Sequence, residues 1–135
     1  VGNLYERICV ENIAHETSKV VWPPSGVHKE WDVMIDEETY EVKADGKAKY
    51  TGNLFIEYMC RGQPSGIDAT TADYWVHFIP GKSQYYLIPT GVLREKISRQ
   101  EYARKLFGGD HNASDGYIFF SSSFEEYLHP SLNPC

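Results

Sequence analysis

Leu4, Tyr5, Ile8, Cys9 and Ile13 recur at helical spacing, so residues 4–16 are expected to form a helix with one apolar face. Pro23, Pro24, Ser25 and Gly26 then interrupt any regular element. Beyond them the period changes. Val33-Met34-Ile35 and Tyr40-Glu41-Val42-Lys43 are short β-type runs flanking Asp36-Glu37-Glu38-Thr39, a hairpin with its turn at 36–39. Asp45-Gly46 marks a second turn, and Asn53–Cys60 is a third strand rich in β-formers.

A tight loop at 61–66 follows, with Thr70-Thr71-Ala72-Asp73 as a candidate capped short helix. Trp75–Ile79 and Tyr85–Ile88 read as strands, Pro89 to Ile97 and Arg99 to Phe107 as helices, and 110–116 as a polar loop. Tyr117–Phe120 is a last strand and Ser122–Leu128 a last short helix, with a frayed tail from Pro130. This order implies an α/β or α+β fold: a mixed β-sheet of about five strands with flanking helices, in one domain covering 1–135.

Composition agrees with a folded domain. Hydrophobic residues are 41%, aromatics 14% and charged residues 24% of 135. No apolar run approaches the ~20 residues of a bilayer span, so no membrane partner is expected. Cys9, Cys60 and Cys135 stand far apart without a C-x-x-C pair, which argues against a zinc knuckle or disulfide framework and for a reducing, cytoplasmic setting.

The net charge of −6 is unevenly spread. Between Lys82 and Lys105 six basic residues face two acids, whereas Asp32, Asp36, Glu37, Glu38, Glu41 and Asp45 crowd the hairpin. Concentrated carboxylates suit a divalent cation.

The hairpin supplies the chemistry. With the turn at 36–39, Ile35 pairs with Tyr40, Met34 with Glu41 and Asp32 with Lys43. Strand alternation then puts Asp32, Met34, Glu41 and Lys43 on one face and Val33, Ile35, Tyr40 and Val42 on the other. Two carboxylates and an amine converge there, and Asp36 stays in the turn. A surface Glu-x-Lys is usually a solvated strand face, but this is the only Glu-x-Lys in the chain and its central residue is apolar.

The pattern Asp32-x8-Glu41-Val42-Lys43, after a helix bearing Tyr5-Glu6, resembles the PD-(D/E)XK nuclease superfamily. The stretches TGNLFIEY, GQPSGIDATTADYW and YYLIPTGVL resemble its small phage and mobile-element endonucleases, near the Holliday-junction-resolvase-like members. Trp31 stands where the family often has Pro. The resemblance implies a restriction-endonuclease-like fold and metal-dependent hydrolysis of DNA to 5′-phosphate and 3′-hydroxyl ends, in a bacterium or phage-infected cell.

In that reading Asp32 and Glu41 are metal carboxylates, the Val42 carbonyl a further ligand and Lys43 the catalytic amine. Glu6 supports the metal shell, with Glu11 and Glu16 as alternatives. The cofactor is Mg²⁺, with Mn²⁺ as substitute. Candidate DNA contacts are Lys47, Lys49, Arg61, Gln63, Ser65, Arg94, Lys96 and Arg99. Glu57 is a candidate extra ligand. One protomer offers one site, so cutting both strands calls for a homodimer. A restriction-like or nicking enzyme and a non-catalytic nucleic-acid-binding module are the rival readings.

Overall fold

The hairpin of Val33–Ile35 and Glu38–Ala44, which carries the acids, turns on only two residues. Asp36 and Glu37 both take left-handed backbone, with φ 50° and 72°. That is the conformation whose twist matches a hairpin, and the Asp36 carboxylate accepts the Lys19 N–H at 2.9 Å to hold it. The computed structural model describes residues 2–24, 30–108 and 113–132.

Along the chain run α1 (Leu4–Ile13), β1 (Val20–Val21), β2 (Val33–Ile35), β3 (Glu38–Ala44), α2 (Ala48–Thr51), β4 (Asn53–Cys60) and β5 (Gln63–Pro64). A single 3-10 turn at Gly66–Asp68 leads to β6 (Tyr74–Ile79), β7 (Gln84–Pro89), α3 (Thr90–Ser98), β8 (Arg104–Leu106) and β9 (Ser114–Phe120). A 3-10 segment, Ser121–Tyr127, precedes β10 (Leu128–Pro130).

The fold is mixed α+β. One sheet has six strands in the order β1-β2-β3-β6-β7-β10, and a second has four in the order β5-β4-β9-β8. All pairings are antiparallel except β3 with β6, which sets Glu41 beside Trp75 and Lys43 beside His77. A parallel pair needs a long crossover. Here that crossover, residues 45–73, contributes β4 and β5 to the second sheet.

Each face of the six-stranded sheet has its own core. On one, Ile8 and Cys9 of α1 meet Val33, Ile35, Tyr40, Val42, Val76, Phe78 and Tyr85. On the other, Trp75, Ile79, Tyr86 and Ile88 meet Leu54, Ile56 and Phe119 of the second sheet, with Leu93 of α3 and Phe124. Buried on both sides, β6 is apolar almost throughout, as a central parallel-paired strand must be.

Several expectations need correction. The first helix ends at Ile13 rather than 16, because Ala14 is extended. The mixed sheet expected with about five strands is present with six, and a second, four-stranded sheet was not foreseen. No helix covers 99–107. Gln100 has φ 56°, and Arg104–Leu106 pairs with β9 instead. Tyr102 packs at 4.8 Å between ring centroids on Tyr117, a tertiary contact that outweighs local helix preference.

Thr70–Asp73 forms no helix, since the Thr70 hydroxyl is engaged with the Glu30 carbonyl and Glu41. The strand expected at 117–120 starts at Ser114, inside the expected loop. Pro130 belongs to β10, and Ser131 and Leu132 are tied to Ser83 and Asn12. The expected break at 23–26, the loop at 110–112 and Cys135 lie wholly or partly outside the described residues. Among the described residues no helix is long and apolar enough to cross a membrane.

Candidate functional site

The observed register pairs Ile35 with Glu38, Met34 with Thr39 and Val33 with Tyr40. This differs by two residues from the expected pairing. An even slip leaves every side chain on its predicted face, so Glu41 and Lys43 still project together while Val33, Ile35, Tyr40 and Val42 are buried. Asp32 falls outside the paired residues, in a bend just before Val33, and meets Glu41 through its side chain rather than by register.

Asp32 lies one residue before β2 and is 5% exposed. Its N–H donates to the Tyr40 carbonyl at 2.9 Å, and its Oδ2 accepts the Val42 N–H at 2.7 Å. The carboxylate thus takes the place of the strand that has just ended. A residue's N–H and C=O leave an extended strand on the same side, so the Val42 carbonyl also points toward Asp32.

Glu41 is held from three directions. Its Oε1 accepts the Thr70 hydroxyl at 2.9 Å, its Oε2 lies 3.4 Å from Lys43 Nζ, and Asp32 is within hydrogen-bonding reach. Burial first and the Asp32 charge second push the Glu41 carboxyl up to about 7, against the opposing pull of Lys43 and Thr70. The Glu41 carboxyl therefore holds its proton more tightly than an ordinary glutamate, and a further cation beside it would favour the charged form.

Lys43 Nζ sits 5.7 Å from the centroid of the Trp75 ring. Below it runs a buried polar chain. The Trp75 indole N–H donates to His77 Nδ1 at 3.0 Å, and His77 Nε2 lies 2.9 Å from Asp45 Oδ2. Indole can only donate, so Nδ1 accepts and the ring proton sits on Nε2, facing Asp45. The Phe55 N–H also reaches Asp45 Oδ2, at 2.9 Å.

A cleft of ≈ 790 Å³ opens at this corner, where the chain leaves β3 and turns into β4. Lys43, Lys47 and Arg104 are its cations, Asp45 and Glu57 its acids, and Phe55 and Trp75 its aromatic walls.

The other candidates divide. Glu6 is buried at the first turn of α1, where its Oε1 accepts the Asn3 N–H at 3.0 Å in a capping box. Cys9, one turn on, is pushed up to about 12 by burial and by the charges of Asp32 and Glu6, which places both acids near it. Glu11 and Glu16 are exposed. Lys47 lines the cleft; Lys49 instead lies 4.8 Å over the Tyr50 ring. Arg61 and Gln63 are exposed at the β4–β5 turn, and the Ser65 hydroxyl is buried.

Three expected DNA contacts are engaged with the protein. Arg94 donates to the Thr70 carbonyl at 2.7 Å, Lys96 lies 3.5 Å from Glu101, and Arg99 lies 2.7 Å from Glu95. Sequence reasoning missed Thr70, Trp75, His77 and Phe55. Only the i,i+2 spacing of Trp75 and His77 on one strand signalled a shared face.

Among the described residues no three His, Cys, Asp or Glu side chains converge as a metal-holding group. Comparison with known protein families, with curated proteins and with solved structures gave no match.

Proposed function

We propose that this chain is a divalent-metal-dependent endonuclease acting on DNA, built on a restriction-endonuclease-like core. The observation that carries this reading is the meeting of Asp32, Glu41 and Lys43 at the hairpin, beside a cleft that Lys43, Lys47 and Arg104 help to line. The donor set fits the implied ion. Asp32, Glu41 and the Val42 carbonyl offer hard oxygen atoms, the ligands Mg²⁺ and Mn²⁺ take. When bound there, such an ion polarises a phosphoryl oxygen and makes a water acidic enough to attack.

The protein's own groups do the rest. The Val42 N–H fixes one Asp32 oxygen, leaving the other to face Glu41. Thr70 and Lys43 hold the two Glu41 oxygens apart. Lys43, one-third exposed at its side chain and stacked on Trp75, neutralises charge that grows on phosphate oxygens or orients the attacking water. Glu6 and Asp32 both act on the Cys9 thiol, so Glu6 adds negative charge on the α1 side of the hairpin.

The test is cleavage of linear, nicked, flapped and four-way DNA in Mg²⁺ by the wild type and Lys43→Ala. The wild type is expected to cut at least one form, and Lys43→Ala to lose roughly 10²–10³-fold in rate. No cleavage in Mg²⁺ or Mn²⁺ would overturn the reading. DNA affinity should also fall steeply with salt.

A non-catalytic nucleic-acid-binding module is the second reading. What favours it is that each carboxylate already has protein partners. DNA binding unchanged by Lys43→Ala, without cutting, would identify it.

A further inference from the structure

Phe55 is half-buried on β4, and its ring lies directly over Gly116 of the neighbouring strand. A β-carbon at 116 would collide with that ring, so the glycine makes room for it against β9. The Phe55 N–H is pinned by Asp45, which fixes the backbone beneath the ring. The result is an aromatic ring set against β9 on the cleft wall. Asn53 and Ser114 supply neutral polar groups, and Lys47 and Arg104 lie on the same cleft. Asp45 is occupied by His77, which leaves Glu57 as the acid open to a ligand.

The cleft's size falls within the range of small-ligand sites, about 300–1,000 Å³. A base inside a duplex is stacked on both faces and has no surface to offer such a ring. An unpaired base does. Its phosphates need cations at the rim, and its edge needs donors and acceptors. All three kinds of group line this one cleft, and Lys43 belongs both to it and to the acidic site.

We propose that the cleft receives one unpaired nucleotide of a DNA strand, with its base stacked on Phe55 and its phosphates held by Lys47 and Arg104. This rests on the DNA reading above and names its substrate class: single-stranded or flapped DNA rather than continuous duplex.

The test measures binding, not cutting, so the two proposals fail separately. Anisotropy of a labelled 12-nucleotide single strand and of a hairpin duplex of equal charge is recorded in EDTA and in Ca²⁺. The single strand should bind at least tenfold more tightly. Phe55→Ala should weaken it by about tenfold while leaving duplex binding unchanged, and Phe55→Trp should retain it. A 2-aminopurine in the strand should lose fluorescence on binding to wild type and recover it with Phe55→Ala.

Equal affinity for both DNAs, or no effect of Phe55→Ala on a folded protein, would overturn the proposal. If Phe55→Ala unfolds, the 2-aminopurine signal with wild type and Phe55→Trp decides: an unquenched probe overturns it. Single-strand preference without any cleavage would uphold the cleft and remove the nuclease.

Discussion

Glu41 and Asp45 stand four residues apart at the end of one strand, both largely buried, and their acidities move in opposite directions. Burial raises each. For Glu41 the nearest strong neighbour is another acid, and its carboxyl is pushed up to about 7. For Asp45 the cost of burial is outweighed by the bond from His77 and by the N–H groups of Phe55 and Lys47, which hold it below the usual carboxylate range. One acid is satisfied from within. The other has a second carboxylate beside it, set against the pull of Lys43 and Thr70, and this difference separates a structural carboxylate from a candidate site.

The largest effect that sharpens the contrast is on activity. Glu41→Gln should reduce DNA cleavage by roughly 10²–10³-fold, whereas Asp45→Asn, measured in the same assay, should cost less than about tenfold. Equal losses would erase the distinction. The next effect is on stability. His77 is 1% exposed and bonded on both ring nitrogens. His77→Ala leaves the Trp75 N–H without its acceptor and the Asp45 carboxylate with only the Phe55 and Lys47 N–H groups, and urea unfolding should show a loss of about 3 kcal/mol. A loss under about 1 kcal/mol would mean that water replaces the ring, and Asp45 would no longer count as internally satisfied.

The hairpin face was legible because alternation survives an even slip of register. Glu41 and Lys43 keep their side whether the turn has two residues or four. The turn itself was not legible, since Asp36-Glu37 lacks the Asn-Gly or Asp-Gly signal of a two-residue loop. Residues 99–107 misled for a different reason. Arg104-Lys105-Leu106 carries no β-period of its own, and its pairing with β9 depends on a strand ten residues further along. Thr70 reaches Glu41 across 29 residues of sequence, a contact no local pattern contains. Arg94 looked like a free cation for the same reason: its partners Ile67 and Thr70 lie in a distant loop.

The pH dependence of stability tests the comparison from both sides. Glu41 has its folded value above its ordinary 4.5, so the folded state holds a proton that the unfolded state releases. Stability from this group is therefore greatest below pH 4.5, falls as pH rises toward 7 and is flat beyond. Asp45 has the opposite sign: its contribution is present above 3.8 and is lost as acid titrates the folded form. Glu41→Gln should remove the decline between pH 4.5 and 7 and stabilise the protein at pH 8 by about 2 kcal/mol, read from urea midpoints. Mg²⁺ at millimolar levels should raise the wild-type midpoint at pH 8 and leave Glu41→Gln unmoved. A flat wild-type profile over that window would show that the two acids do not compete.

The smallest effect isolates Thr70. Its single hydroxyl proton can go to the Glu41 Oε1 at 2.9 Å or to the Glu30 carbonyl at 3.0 Å, but not to both at once. The bond to Glu41 favours the charged carboxylate, so it works against Asp32 and burial. Thr70→Val keeps the shape and removes the donor. It should cost about 1 kcal/mol of stability and shift the Glu41 titration, followed by carboxyl ¹³C NMR, to higher pH. Thr70→Ser should restore the position. Arg94→Ala, which frees the Thr70 carbonyl without touching Glu41, should move the titration the same way by less. A downward shift in Thr70→Val would mean that the hydroxyl serves Glu30, and that Asp32 and Lys43 alone set the state of the acid pair.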